Sequence, residues 1–420
     1  MHTPEPAVRA IGSDRRGSEG PAPTWMFVLP WELSAPGGVS QVVENLFDTI
    51  PDVLGWRSLL LVNTWGARHP RVDVVDGRRT VRMAIQSPVG PDRMLRRAVS
   101  FMVRLPAALL RLRSFLARES IAGIHVHYPG LDAVTWLLVR AMASQRPRLV
   151  LSFHGTDFSQ AQTTHGVARW LWSLLLRQAD DVTACSSGLR DDMIAAFGAA
   201  ATAIRVVPNG VDPPRIEAAS QSAPVTAVPP CYLLSLATFE RKKGLDVLID
   251  AFVRVSRQHP DVDLVLAGRV GEADHFAQLQ AQRQAAPCSG RIHFLPVLPH
   301  EDAMRVLRRA AMLVLASRRE PFGIVVLEAG VLGVPVVATQ VCGVVPLLAR
   351  AGLVAVPAGD PAALAEAIGQ LLADASLRRS NAMSLREQVL WRFTWRHVAS
   401  DYVKWRRPGH FSSDQGAPAS

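Results

Sequence analysis

The chain has 420 residues, 49% of them hydrophobic and 20% charged, which is long enough and apolar enough for two buried cores. Its formal charge of +10 is evenly shared, with 23 basic and 18 acidic side chains in each of residues 1–212 and 213–420. No aromatic-interleaved basic platform or zinc-finger spacing accompanies that charge, so nucleic acid is excluded as the expected partner. Four scattered cysteines (Cys185, Cys231, Cys288, Cys342) lack metal or redox spacing and read as reduced core residues of a cytoplasmic protein.

Residues 1–24 are rich in Pro, Gly and charge, without an apolar core of signal-peptide length, and are expected to form a disordered tail. The first strand is Trp25–Leu29. Ser34-Ala35-Pro36-Gly37-Gly38-Val39 then opens a helix with Val42, Val43, Leu46 and Phe47 on one face. A Gly-Gly loop between strand and helix is either a plain turn or a place where backbone approaches a phosphate. A second strand follows at Trp56–Val62, and shorter ones lie within Arg71–Ile85. Pro91–Ser120 reads as an interrupted amphipathic helix, whose part up to Arg118 carries seven arginines against one acid, Asp92. It is either a crossover helix with solvated arginines or a surface that lies on anionic lipid.

Ile121–His127 is a strand that points His125 and His127 the same way; no carboxylate or cysteine follows at ligand spacing, so no metal is expected. Leu149–Phe153 ends in His154-Gly155-Thr156-Asp157, a polar cluster at a strand's carboxyl end, where open α/β sheets bind ligands. Val167–Arg177 is expected to be helical with Trp170, Leu171, Leu174 and Leu175 inward. Asp180–Ser187 is read as a short strand whose last serine caps the next helix. Arg205–Asp212 contains the turn pair Asn209-Gly210. Residues 213–230, with five prolines and no strong apolar period, read as a linker.

The second half starts with the strand Cys231–Ala237. Thr238-Phe239-Glu240-Arg241-Lys242-Lys243-Gly244 leads from it to a helix with Leu245, Leu248, Ile249 and Phe252 inward. Lys242 and Lys243 are two of only three lysines, and a compact ammonium suits a diphosphate as a point charge; the alternative is a solvated helix start. Val262–Gly268 and Arg291–Leu295 are strands, and His300–Arg309 is a helix. Ala311–Ala316 is a buried strand leading into Ser317-Arg318-Arg319-Glu320-Pro321-Phe322-Gly323 and a helix to Leu332. Strand, Gly/Pro loop and helix N-terminus together make an anion site. Glu320 and Glu328 bracket it, eight positions or roughly 12 Å apart, unless Glu320 is a cap and Glu328 solvated. The uncharged run Ala329–Ala349 holds three glycines and two prolines, which argues against a bilayer helix. Gly352–Pro357 is the last strand, Ala362–Leu372 an amphipathic helix and Trp391–Arg407 the final helix.

Glu320-Pro321-Phe322-Gly323, four residues, Glu328-Ala329, then Gly333-Val334-Pro335-Val336-Val337-Ala338-Thr339, resembles the signature of retaining nucleotide-sugar glycosyltransferases of family 4. His154-Gly155-Thr156-Asp157 and Val207-Pro208-Asn209-Gly210-Val211-Asp212 are similar to further motifs of that family, and the resemblance covers about residues 25–407. It implies the GT-B fold: two doubly wound, Rossmann-like α/β domains facing across a cleft. The acceptor-side domain would be 25–212 and the linker 213–230. The nucleotide-sugar domain would be 231–390, a helix at 391–407 would cross back, and 408–420 would be a second disordered tail. The implied activity is retaining, metal-independent transfer of a hexosyl unit from a nucleotide diphosphate sugar to an acceptor hydroxyl, in polysaccharide or glycolipid biosynthesis. No cofactor is implied. The partners would be the nucleotide sugar and a sugar or lipid-linked acceptor, and the place the cytoplasm, peripheral on the inner face of the membrane where Pro91–Arg118 meets anionic lipid. Two rivals stand beside this reading: a non-catalytic nucleotide-sugar-binding partner of a polysaccharide machine, and a GT-B nucleotide-sugar epimerase.

The resemblance also implies roles. Glu328 would hold the ribose hydroxyls and Glu320 the sugar hydroxyls, with the amides of Phe322, Gly323 and Ile324 assisting. Lys243 would answer the diphosphate. The family's accompanying arginine is Thr238 here, which leaves Lys242 or Arg241 to compensate. Gly37 and Gly38 would touch the diphosphate or acceptor, Gly268 would lie at the donor, and Val297, within Pro296–Leu298, near the base. His154 would sit beside the anomeric carbon, so that His154, Lys243 and Glu320 form the catalytic set, with His127 and Asp157 on the acceptor side. A family motif ending in an acid has Leu347 at that place, so only a Gly343 backbone contact carries over from it.

Overall fold

The computed structural model describes residues 22–35, 37–64, 71–89, 94–348 and 350–404, and of Arg71, Met94, Leu95, Arg97 and Lys404 the backbone alone. The expected tails up to residue 21 and from 408, together with Pro36, Pro91–Arg93 and residues 405–407 of the final helix, lie outside the described residues.

Two sheets organise the chain. The first holds β1 (Thr24–Leu29), β2 (Arg57–Asn63), β3 (Arg71–Val75), β4 (Arg78–Met83), β5 (Ile121–His127), β6 (Arg148–Phe153), β7 (Asp181–Ala184) and β8 (Arg205–Val206). Their order is β3-β4-β2-β1-β5-β6-β7-β8, parallel throughout except for the β3–β4 pair. The second holds β9 (Tyr232–Leu236), β10 (Asp263–Ala267), β11 (Ile292–Leu295), β12 (Met312–Leu315), β13 (Val336–Thr339) and β14 (Val354–Val356). Its order is β11-β10-β9-β12-β13-β14, all parallel. Every residue of β1, β12 and β13 is buried, as expected of parallel strands covered by helices on both faces. These are the two doubly wound α/β domains that the sequence suggested.

The topology places the site. Strand order reverses between β1 and β5 in the first sheet and between β9 and β12 in the second. Crevices open outside the carboxyl ends of strands at such reversals. The Gly37 loop follows β1, His127 ends β5, the Lys243 turn follows β9 and the Glu320 loop follows β12.

Several local readings need correction. The arginine-rich segment is one continuous helix, Met94–Arg118, running through Pro106 rather than breaking there. Phe101 before the proline and Leu112, Phe115 and Leu116 after it are buried, and that burial offsets the missing hydrogen bond. On the helix Gly166–Gln178, Trp170 is 62% exposed, and Trp172 goes inward beside Leu171 and Leu175. The helix Ser187–Phe197 is capped by Ser186, one residue earlier than expected, whose Oγ accepts from the Leu189 amide. The proline-rich connection begins with a helix, Pro213–Ser220, because Asp212 caps it and the prolines sit in its first turn, where no N–H is needed. Trp391 and Arg392 end a helix, Ala375–Arg392, that the sequence reading did not separate; the last helix is Trp395–Lys404.

The break at Phe393-Thr394 docks on the first domain. Val211 donates to the Phe393 carbonyl at 2.8 Å, and Trp395 donates back to Val211 at 3.2 Å. Gly210 faces the Trp395 ring so closely that a Cβ would lie 2.9 Å from it. The Asn209-Gly210 turn therefore holds the return of the chain. Trp395, Val398, Ala399 and Tyr402 then join Phe27, Val42 and Leu46 in one cluster, which fastens the final helix across the first domain.

Candidate functional site

Lys243 and Glu320 come together through backbone. The turn Arg241–Lys243 closes at Gly244, whose φ of 63° and whose distance of 2.0 Å from a built Cβ to the Ala316 carbonyl both demand glycine. The Lys242 carbonyl accepts from the amides of Arg318 at 2.8 Å and Arg319 at 3.1 Å, tying this turn to the loop after β12. Lys243 Nζ then reaches Glu320 Oε2 at 2.6 Å in a mostly buried ion pair. Arg318 forks onto Asp246, both bonds 2.6 Å, and locks the same corner.

The Glu320–Gly323 loop is pinned from the other side. Gly343 donates to the Glu320 carbonyl at 3.0 Å and Val344 to the Phe322 carbonyl at 2.9 Å. Gly323, at φ 94°, caps the helix Ile324–Leu332 with no room for a side chain against Cys342 Sγ. One turn further on, Glu328 is only 6% exposed. Its Oε1 accepts from Gln41 Nε2 at 3.1 Å, on the helix Gly38–Leu54 of the other domain, and His300 Nδ1 lies 3.9 Å away. Burial raises the Glu328 pKa, opposed by His300 and the Gln41 bond.

From the first domain, Asp157 makes the loop after β6. Its carboxylate accepts from the amides of His154 at 2.9 Å, Gly155 at 2.7 Å and Phe158 at 2.9 Å, and it is 2% exposed. Asp157 is therefore not free for an acceptor; it holds His154. The His154 ring meets that of His127 edge to edge and nearly parallel, with Nε2 3.1 Å from His127 Nδ1, and burial lowers its pKa to about 4, so the imidazole is neutral.

The two halves meet at these loops. A Cβ on Gly155 would lie 2.4 Å from the Pro321 ring, and one on Gly343 would lie 2.6 Å from Ser186 Cβ. Gly38 lies against Ile324 Cδ1, 3.6 Å from where its Cβ would be. These contacts bring the loops of Gly38 and His154 against those of Glu320, Gly323 and Ile324, with Lys243 on Glu320, Glu328 on Gln41, and His127 buried behind His154.

Other expected residues stand apart from that cluster. Lys242 turns to Glu240 at 2.6 Å, and Arg241 donates to Gln278 at 2.9 Å, so both cations near Thr238 are engaged outside the Lys243–Glu320 pair. Gly268 is needed for packing, since a Cβ would strike the Ala237 carbonyl at 1.9 Å, and Val297 is 59% exposed. Gln41, Ser186 and His300 were missed. Gln41 lies one turn past Gly38, a position whose meaning appears only when the second domain is set opposite. Among the described residues, no group of three or more His, Cys, Asp or Glu could hold a metal ion.

Comparison with known proteins decides the family. The model for Glycosyltransferase Family 4 matches residues 36–215, and that for glycosyl transferases group 1 matches 221–386. A phosphatidyl-myo-inositol mannosyltransferase of Mycobacterium leprae is 31% identical over 384 residues, covering 90% of this chain and 94% of that protein. The chain is a family 4 glycosyltransferase. A glycogen synthase of Mycobacterium tuberculosis is also 31% identical, over 242 residues covering 57% of the glycosyltransferase and 56% of the relative, little more than half of either chain. Among solved structures, sucrose-phosphate synthase from Thermosynechococcus elongatus superposes with a TM-score of 0.67 at 21% identity, covering 91% of this chain and 97% of that one. Anabaena HepE, in complex with UDP and glucose, gives 0.65 at 18% identity, covering 90% and 98%. Both share the GT-B fold.

Proposed function

We propose that this glycosyltransferase moves a hexosyl unit from a nucleotide diphosphate sugar to an acceptor hydroxyl with retention and without a metal ion, in making a polysaccharide or glycolipid. The observation that carries the reading is the Lys243–Glu320 pair at the start of the Gly323-capped helix, facing His154 across the cleft. As the bond from C1 to the diphosphate breaks, its electron pair and charge pass to the leaving oxygen. Lys243 and the positive end of the helix Ile324–Leu332 stabilise that charge, the part a divalent cation plays elsewhere. Glu320 accepts hydroxyls of the sugar, and Glu328 accepts those of the ribose in exchange for Gln41. The acceptor oxygen bonds to C1 on the face the diphosphate leaves, and its proton goes to the departing diphosphate oxygen. The relatives, a mannosyltransferase and a glycogen synthase, support a hexosyl donor. The test is nucleoside diphosphate release over a panel of nucleotide sugars and acceptors, with chelator present; no release with any pair would overturn the reading.

A second feature concerns the acceptor. The helix Met94–Arg118 has two apolar stripes. One, with Phe101, Leu112, Phe115 and Leu116, is buried. The other, Val99, Met102, Val103 and Leu110 at helical spacing, faces outward at 55%, 65%, 75% and 58% exposure. Arg96, Arg104, Arg111 and Arg113 are exposed along the same helix. A crossover helix needs only the first stripe. We infer that the second lies in the interface of an anionic leaflet, where apolar burial and charge attraction add, and that it presents the cleft to a lipid-linked acceptor. No helix among the described residues is long and apolar enough to cross a membrane.

A further inference from the structure

His127 ends β5 wholly buried, with Nδ1 3.1 Å from Nε2 of His154. One proton lies on that line, so one ring donates and the other accepts. The other nitrogen of His127, Nε2, is buried with no partner among the described residues. If His154 donated, that Nε2 would carry an N–H with nothing to receive it, the rarer and costlier kind of orphan. If His127 donates from Nδ1, its Nε2 is only a bare lone pair, and the proton of His154 sits on Nδ1. That Nδ1 has no protein partner among the described residues, His154 as a residue is half-buried, and its loop abuts Pro321 next to Glu320. His127 is itself held. Its ring lies 4.0 Å from that of His125, whose Nε2 shares a 2.7 Å bond with Ser152 Oγ. Ser152 in turn donates to Tyr402 of the crossing helix at 3.4 Å.

We propose that His127 is a positioning residue that fixes His154 as the Nδ1-protonated tautomer, so that His154 offers an N–H to an oxygen of the bound sugar or the departing diphosphate. Burial keeps both rings neutral. With Nε2 already accepting and Nδ1 already protonated, His154 has no lone pair for the acceptor's proton, in keeping with its passing to the diphosphate oxygen. The use of the N–H in catalysis rests on the glycosyl-transfer reading; the tautomer does not.

The experiment is long-range proton–nitrogen correlation on the full chain carrying nitrogen-15 histidine, with His154 signals assigned by their loss in His154→Gln. The expected spectrum shows Nδ1–H for both His127 and His154. His127→Leu removes the donor and should shift His154 toward the other tautomer. Its kcat should fall by at least about tenfold with little change in KM, the scale of one lost hydrogen bond. His127→Asn puts an amide N–H near the lost Nδ1 and should restore the His154 Nδ1–H signal and the rate. An Nε2–H on His154 in the parent overturns the proposal, as does a folded His127→Leu with tautomer and kcat unchanged. Should His127→Leu fail to fold, the parent and His127→Asn spectra decide alone. Should no donor be turned over, the spectra still judge the tautomer, and the transfer reading is what fails.

Discussion

Glu328→Ala tests the donor site through a balance the structure makes explicit. In the cleft the carboxylate is 6% exposed and already accepts one bond, from Gln41 at 3.1 Å. Two ribose hydroxyls would each form a charge-assisted bond worth about 1.5–3 kcal/mol, or about 3–6 together. The Gln41 bond, of similar kind, is given up on binding, which leaves about 1.5–3 kcal/mol net. That corresponds to a roughly 10- to 150-fold rise in Kd for the nucleoside diphosphate in Glu328→Ala. Titration calorimetry of parent and variant reads it directly. Glu328→Gln separates stability from binding. Because burial raises the Glu328 pKa, the folded protein holds this charge against its preference, so the neutral isostere should unfold no earlier at neutral pH while still binding nucleotide more weakly. A folded Glu328→Ala that binds nucleotide like the parent would refute the placement of ribose against this carboxylate.

Lys243→Ala should lose at least about a hundredfold in turnover with chelator present, about 2.7 kcal/mol, whereas Lys242→Ala, whose ammonium is paired with Glu240, should lose far less; equal rates in a stopped assay would remove Lys243 from catalysis. Flotation with vesicles should show binding that rises with anionic lipid and falls with salt, and replacing Arg96, Arg104, Arg111 and Arg113 by Gln should reduce it without changing nucleotide affinity. Acid stability follows from the histidines: burial lowers the pKa of His125 and His127 well below 6.5 and that of His154 to about 4. Below about pH 6.5 the unfolded chain binds the extra protons, so stability is present above that pH and lost as pH falls toward 4, by up to about 1.4 kcal/mol per unit for each ring. Thermal melts against pH should show this slope, shallower in His125→Gln.

Segments with a clear apolar pattern, continuous in a strand or periodic in a helix, were the legible part of the chain. Ile121–His127 and His300–Arg309 form as read, residue for residue, and the Gly323-capped helix starts where its glycine says. Helices without a stripe were not legible: Ala273–Ala285 buries only His275 and Leu279, so it has no period to find. On Gly166–Gln178 two tryptophans flank one leucine stripe, and the helical spacing of Trp170 with Leu171, Leu174 and Leu175 pointed to Trp170 although the packing takes Trp172. Within the site, residue types and their order were visible, but pairings were not. Lys243 and Glu320 are 77 positions apart and meet through the Lys242 carbonyl, while Gln41 and Glu328 are 287 apart and meet only because two separate sheets face each other. Asp157 looked like a ligand because a motif marks it; its three amide partners are local, and local geometry was the missing information.

The central claim is that Lys243 and a helix N-terminus do the work of a metal ion while the acceptor attacks on the face the diphosphate leaves. With the donor found in the panel, proton NMR of the product formed in the presence of chelator reads both parts at once. The account predicts undiminished transfer and an anomeric configuration equal to that of the donor. An inverted product, or transfer that stops with chelator and returns with a divalent cation, would contradict it.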